Sequence, residues 1–423
     1  MRALLPESWF VPVPVKKTPA SHFWVNEGHK HELKEAAELL NHTLYSDKDN
    51  FLNELGIKTS IMSDPFTSKV EWDEYQNKTI TLWSERFFDP YCVDVGAGRN
   101  ANLGPCQFKG IGRNNLAIRP DWLHSWGGMT IAETITEIVL EKLLSKNLSH
   151  LSVPVLGGFI YHYTDNAFII RSSDFIRCHQ LHPIMRKEDR DKIFSYMARK
   201  LCLDNSELWH RKILENFITL MKKGFYHQSP TLDNLTIDGR ILDHYSLEWS
   251  PHENDMPFSC EITFDLPLPK DANETLIATY LKNRSIQKVV SNYDFLAQQF
   301  HVLARGFEHL ELPTISTEEM ITQLKDSFPE WKDFILRPEE KRKKYPQLLL
   351  QKAIEDKLVL YITNRGTIIA EAQPRKRAEI VQTSLHMLNM LQMASKHKDP
   401  HSLNSVLHAI YNKFNDGDIS QHG

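Results

Sequence analysis

The sequence predicts an α+β fold in two lobes, followed by a helical extension at the C-terminus. Three observations carry the reading. Short strand-like runs bounded by turn residues fill the stretch from Thr67 to Gln107, and a strong helix, Thr130 to Leu144, follows them. A helical tract from Arg186 to Lys223 then delivers the chain to Gly224 and a compact motif, Asp233-Asn234 followed nine positions later by Asp243. Hydrophobic residues at 41% and charged residues at 25% complete the picture of a globular chain with a sizeable core.

Taken in order, residues 1–64 read as an N-terminal arm and helices, of which residues 1–30 are an extended arm rich in proline and aromatics, held to the body through Trp9, Phe10 and Trp24. Helical spacing follows at Leu33, Ala36, Ala37, Leu40 and Leu44, and a second short helix ends near Leu55. Residues 65–165 form a first lobe. Its strand candidates are Thr79 to Trp83, Tyr91 to Val95, Gly104 to Lys109 and Val153 to His162, and its helix carries Ile131, Ile135, Ile138, Val139 and Leu143 on one face. Glu133, Glu137 and Glu141 lie on an adjoining stripe, which taken alone is a solvated helix face. Residues 166–312 form a second lobe: a strand at Ala167–Ile170, the tract ending in a buried rod (Trp209, Ile213, Phe217, Leu220), the motif, a strand at Phe258–Phe264 and helices near 291–309. Residues 313–423 are expected to be mostly helical, with one strand pair at Val359–Ile362 and Thr367–Ala370, and with the basic run Lys341 to Lys344 in a solvated linker.

A net charge of −4 argues against a dedicated nucleic-acid binder and leaves a nucleotide site open. The five cysteines are scattered, with no Cys-x-x-Cys pair, the pattern of reduced thiols in a cytoplasmic protein. No apolar run suits a membrane span. Paired histidines at His29/His31 and His179/His182 lack a third ligand at a recognised spacing, so they read as ordinary surface or core residues.

The chemistry is expected at Asp233-Asn234 and Asp243. An amide and a carboxylate on the two arms of a short β-turn-β can chelate one hard cation, the way kinase-like folds hold the magnesium of Mg-ATP. Upstream stand further parts in kinase order: Gly96-Ala97-Gly98-Arg99 as a phosphate-approaching turn, Lys109 at a strand end, and Glu137 within the next helix to brace that lysine. Together they predict a protein-kinase-like fold. The catalytic-loop base of kinases, five residues before the metal-binding Asn, is absent, because Ser229 stands there. Such a chain is either a nucleotide-binding pseudokinase or a kinase fold performing another ATP reaction.

These residues resemble the selenoprotein O family of pseudokinase-fold protein adenylyltransferases. The family's Gly-Asp-Gly-Arg is similar to Gly96–Arg99, its Leu-Lys-Gly-Ala-Gly to Phe108–Gly112, and its Ser-Ser-Ile-Arg-Glu-Phe-Leu to Glu133–Val139. Its paired-arginine segment resembles Arg171–Arg177, and its Gly-Phe-x-His…Thr-Asp-Asn…Ile-Asp-Tyr-Gly stretch matches Gly224–Ser246 without a gap. The resemblance implies ATP bound flipped, with Asp233 as general base and Asn234 and Asp243 as ligands of Mg²⁺ or alternatively Mn²⁺. It further implies that Lys109, braced by Glu137, joins Arg171 and Arg177 on the phosphates and that Gly96, Gly98 and Arg99 form the loop. The implied reaction is transfer of AMP to a protein or peptide acceptor. Three departures stand out: Trp126-Gly127-Gly128-Met129 replaces the family's Asp-Gly-Arg-Ala, Ala97 stands where the family's glycine loop has Asp, and the family's C-terminal redox residue has no counterpart, Cys260 being the last cysteine. The altered loop keeps two alternatives open. One is activation of a peptide C-terminal carboxylate as an acyl-adenylate for a partner enzyme, as in microcin-like maturation; the other is an inactive nucleotide-binding scaffold.

Overall fold

The computed structural model of the protein describes residues 4–42, 44–45, 50–59, 61–63, 70–72, 80–88, 94–96, 98–114, 116, 127–164, 166–202, 209–223, 225–227, 232–249, 258–262, 288–290, 322, 326, 359–362, 368–372 and 399–415. The chain is mixed α+β and divides into two compact units. The first comprises Met1–Trp249, Arg305–Thr314 and Leu391–Gly423, and the second Ser250–Ala304 and Ile315–Met390.

The first unit is built on an antiparallel sheet. Strands β1 (Phe10–Lys17), β2 (Ala20–Val25) and β3 (Ile57–Lys58) come from the N-terminal arm, with helix α1 (Lys30–Asn41) between the last two. A small hairpin, β4 (Ile61–Ser63) with β5 (Val70–Trp72), precedes β6 (Ile80–Phe88), β7 (Asp94–Gly96), β8 (Asn100–Leu103) and β9 (Cys106–Lys109). After β10 (Met129–Thr130) and helix α2 (Ile131–Leu148) the hairpin β11 (Val155–Tyr161) and β12 (Asn166–Ser172) completes the sheet, in the order β2-β11-β12-β9-β8-β6-β1-β3, with β10 on β12 and β7 on β6.

The N-terminal arm is thus part of the sheet and not merely laid upon it. The sequence Val11-Pro12-Val13-Pro14-Val15 alternates buried valines with exposed prolines. These residues pair with β6, whereas β3 reaches only Lys16 and Lys17. The prolines therefore sit where a missing N–H is tolerated, beside an open strand edge. Trp9 anchors the arm by donating its indole N–H to the Gln180 carbonyl at 2.9 Å.

One face of the sheet packs on α1, whose Leu33, Ala36, Ala37 and Leu40 recur at helical spacing and are buried. Ala101, Phe108, Phe168 and Ile170, spaced by two along their strands, meet them in one apolar cluster. The opposite face receives α2. Thr130 starts this helix with a reciprocal cap, its hydroxyl accepting the Glu133 N–H at 3.0 Å while the Glu133 carboxylate accepts the Thr130 N–H at 2.8 Å. Gly158 lets the helix come close, since a Cβ there would lie 2.6 Å from Ile138 Cδ1 and 2.7 Å from Phe23 Cζ.

Beyond the sheet, helices α3 (Lys187–Lys200) and α4 (Trp209–Lys222) lead to β13 (Phe225–His227), which pairs with β14 (Leu247–Trp249) around the predicted motif. In the second unit β15 (Phe258–Ile262), β16 (Lys288–Val290), β17 (Val359–Ile362) and β18 (Ile368–Ala372) form an antiparallel sheet in the order β16-β15-β18-β17. The strand expected after residue 258 and the pair expected near 360 therefore share one sheet. Helix α5 (Pro400–Asn415) returns to the first unit and packs on α2 and β2 through Leu403, Leu407 and Ile410. The helices expected near 291–309 and the basic run at 341–344 lie outside the described residues; within the stretch 313–423, expected to be mostly helical, Thr322 and Asp326 are helical. Among the described residues no helix is long and apolar enough to cross a membrane.

Candidate functional site

Four charged side chains meet on the α2 face of the sheet. Lys109 closes β9, on the same face as Gln107 and opposite Phe108. Its ammonium donates to Glu137 Oε2 at 2.6 Å and also to Asp243 Oδ1. Arg171, on neighbouring β12, points NH1 at Glu137 Oε1 across 3.6 Å and donates its Nε–H to Gln107 Oε1 at 2.8 Å. Lys109, Glu137 and Arg171 are all buried, with relative exposures of 2%, 0% and 1%. Taking ions out of water costs several kcal/mol each, and buried pairs repay this poorly. A cluster of this kind is weak as a stability device and strong as a candidate for chemistry.

The stripe of three glutamates is buried as well, which corrects the expectation of a solvated face for Glu133 and Glu141. Glu133 is consumed by the helix cap. Glu141 accepts from Ser145 and, at 3.2 Å, from Ser152, and burial raises its carboxyl to about 7 despite those two hydrogen bonds.

The motif from Asp233 to Asp243 is held by its own turn. Leu235 bridges Ile241, the Leu242 N–H donates to the Asn234 carbonyl at 2.9 Å, and the Thr236 N–H donates to Arg240 at 3.0 Å. Gly239, at φ +79°, makes the reversal; a side chain there would be strained and would strike Asn216. Asn234 and Asp243 thus leave two adjoining arms, as the nine-residue spacing predicts. Their amide oxygen and carboxylate are hard donors of the sort Mg²⁺ takes alongside phosphate oxygens, so the residues present fit such an ion. Among the described residues no three His, Cys, Asp or Glu side chains converge as a self-sufficient metal site.

Asp243 adopts the left-handed conformation, at φ 58° and ψ 50°, uncommon for a residue other than glycine. Burial alone would raise its carboxyl, but the cations Lys109, Arg99 and Arg171 outweigh that and hold it well below the usual carboxylate range. Lys109 is drawn below its ordinary value by burial, against the pull of Asp243 and Glu137.

Two histidines that the sequence reading passed over frame this loop. His227, seven residues before Asn234, donates its Nε2–H to the Leu242 carbonyl at 3.0 Å. His244 is fully buried beside Asp243 and lies 3.0 Å from Ser152 Oγ through Nε2. Burial keeps both imidazoles below their ordinary value, and for His244 the nearby cations Arg171 and Lys109 add to the effect. The signal for His227 was available: it stands at the position of the histidine in the kinase His-Arg-Asp-x-x-x-x-Asn loop.

The remaining candidates border the same place. Arg171 and Arg177 flank one aromatic ring, their guanidinium carbons 5.7 and 5.6 Å from the centre of Phe175. Arg177 also donates to the carbonyl of Asp233, and its backbone bridges Thr236 on the motif arm. Asp233 is half-buried at the entrance to the turn. Arg99 donates to the Gly128 carbonyl at 3.0 Å, while the Gly98 carbonyl accepts from Asn114 at 3.0 Å, fixing the glycine turn to the loop at Gly110–Asn114. Gly96 ends β7 on the neighbouring edge. Ala97, Trp126, Gly224 and Ser229 lie outside the described residues. No protein-family model matches the chain, and no curated protein matches it.

Proposed function

We propose that the protein transfers AMP from Mg-ATP to a hydroxyl of a protein or peptide acceptor, on a protein-kinase-like frame of the selenoprotein O kind. The observation that carries the reading is the buried cluster in which one strand lysine, Lys109, touches both a helix glutamate, Glu137, and the motif aspartate, Asp243. That is the strand-lysine, helix-glutamate and metal-aspartate set on which kinase chemistry depends. Arg171 and Arg177, gathered around Phe175, add two further cations on the same side.

In this reading Asn234 and Asp243 would hold a magnesium ion, which would supply positive charge to the polyphosphate. Lys109, Arg171 and Arg177 bind and orient the phosphate oxygens, and Glu137 keeps the lysine and Arg171 in place. The acceptor oxygen attacks the α-phosphorus, the bond to the bridging α–β oxygen breaks, and pyrophosphate leaves with its charge spread over these cations. The hydroxyl proton passes to Asp233. Its place on the motif arm, half-buried with its carbonyl accepting from the Arg177 guanidinium, suits that role.

Incubation with α-labelled or γ-labelled ATP decides between the chemistries. Label should enter the acceptor from the α position only; label from γ alone means phosphoryl transfer, and from neither means a scaffold. Asp243→Ala should lower transfer at least about a hundredfold, because a metal ligand contributes several kcal/mol of charge stabilisation. An unchanged rate would remove Asp243 from the metal site.

A further inference from the structure

Helix α2 grips the Asp243 loop at a second point, one turn beyond Glu137. Glu141 is 2% exposed, and so is Ser152, in the segment that follows the helix. Ser152 donates to Glu141 Oε1 at 3.2 Å and therefore has only its lone pairs left for His244 Nε2, 3.0 Å away. That assigns the imidazole as the Nε2–H tautomer, donating to Ser152, and leaves the buried Nδ1 as an acceptor without a hydrogen-bond partner among the described residues. The backbone repeats the connection. Ser152 bridges Ile241 in parallel, the Val153 N–H donates to the Ile241 carbonyl at 3.2 Å, and the Ile241 N–H donates to the Leu151 carbonyl at 2.8 Å.

An apolar trio would fill this space without any orphan nitrogen, so a buried Glu-Ser-His chain is costly to keep. Its direction is what it provides. It is anchored on the helix that presents Glu137 and ends on the residue after Asp243, whose left-handed backbone needs outside support. We propose that Glu141, Ser152 and His244 are positioning residues that lock the Asp243 loop to α2, so that the Lys109–Glu137 pair and the metal-binding carboxylate are set as one body. The role in metal binding rests on the adenylyl-transfer reading, whereas the clamp itself does not.

The test uses the full chain, with Ser152→Ala, Glu141→Leu and the conservative Glu141→Gln, which keeps an oxygen acceptor. Amide hydrogen exchange in peptides covering 241–247 should speed up about tenfold in the first two variants, the weight of one buried hydrogen bond, and stay near the parent in the third. Peptides of β1 and β2 should not change. Exchange at 241–247 equal to the parent, or a rise shared equally by all peptides, overturns the clamp. In parallel, the Mg²⁺ concentration that half-saturates AMP transfer should rise in Ser152→Ala and be restored in Glu141→Gln. A parent that transfers no AMP while Ser152→Ala still loosens 241–247 refutes the adenylyl reading and leaves the clamp standing. Transfer by both with identical Mg²⁺ dependence refutes the clamp's role in metal binding.

Discussion

The two faces of the main sheet are made from the same strands and do opposite things. On the α1 face, alternate residues of β8, β9 and β12 are Ala101, Phe108, Phe168 and Ile170, all in one apolar cluster. On the α2 face the intervening residues are Ala167 and Ile169 of β12 together with five polar ones, Asn100, Asn102, Gln107, Lys109 and Arg171, equally buried. The polar ones join side by side: Gln107 donates to Asn102 Oδ1 at 3.0 Å and accepts from Arg171 Nε at 2.8 Å. A sheet needs one dry face to fold, but it has no folding need for a second face of buried amides and ions. The polar face is therefore where binding and chemistry are expected, and the apolar face is what makes it affordable.

The comparison breaks most sharply under substitution of whole groups. Phe108→Ala and Glu137→Ala should each cost about 3–5 kcal/mol in urea unfolding, the first by leaving a cavity and the second by taking the Glu137 carboxylate from Arg171 and leaving Lys109 with Asp243 alone. Combining Lys109→Met, Glu137→Leu, Arg171→Met and Asp243→Asn should separate the faces. Apolar replacement of a buried ion cluster is often neutral or stabilising by about 1–4 kcal/mol. Stability should return towards the parent while the thermal shift given by Mg-ATP disappears. A combined variant as unstable as Glu137→Ala would mean that the ions on the α2 face are structural after all.

How far the sequence went differs between the faces. The α1 face was readable because Leu33, Ala36, Ala37 and Leu40 repeat with the helical period, a local pattern. The meeting of Lys109, Glu137 and Asp243 was expected for another reason, the chain order of a lysine, a glutamate and an aspartate that kinase chemistry uses, and the fold brings the three within hydrogen-bond reach. The burial of Glu141 was not readable, since helical spacing cannot distinguish a solvated stripe from one buried by Ser152 and by His244, more than ninety residues away along the chain. Nor was the N-terminal arm, because the pairing of Pro12 with Trp83 is a long-range register that local propensity does not encode.

Glu141 sharpens the comparison through pH. Its carboxyl is raised from 4.5 to about 7 in the folded protein, so between those values the folded state holds a proton that the unfolded chain has released. Stability from this group is fully present below about pH 4.5 and is lost as pH rises towards 7, by about 3 kcal/mol on the linkage relation. Urea midpoints measured across that window should fall with pH in the parent, and the fall should be reduced in Glu141→Gln. On the α1 face the buried thiol of Cys106 is pushed up by burial, away from this range. A parent slope matched by the variant would place the titration elsewhere.

The smallest effect lies on the outer side of α2, where Lys142 directs its ammonium at the ring of Tyr411, 4.2 Å from the centroid, with Trp24 of β2 at 5.8 Å. Burial lowers this lysine against the opposing pull of Glu141, so its charge is partly desolvated where α5 docks. Lys142→Met keeps the aliphatic stem and removes only the charge, so it should cost about 0.5–1 kcal/mol, the usual worth of a cation–π contact near the surface. Exchange protection should then weaken in α5 alone, with Glu137 and Lys109 undisturbed. If AMP transfer were to fall along with α5 protection, the seat of α5 would be coupled to the polar face through α2, and the two sides of that helix could not be treated as independent.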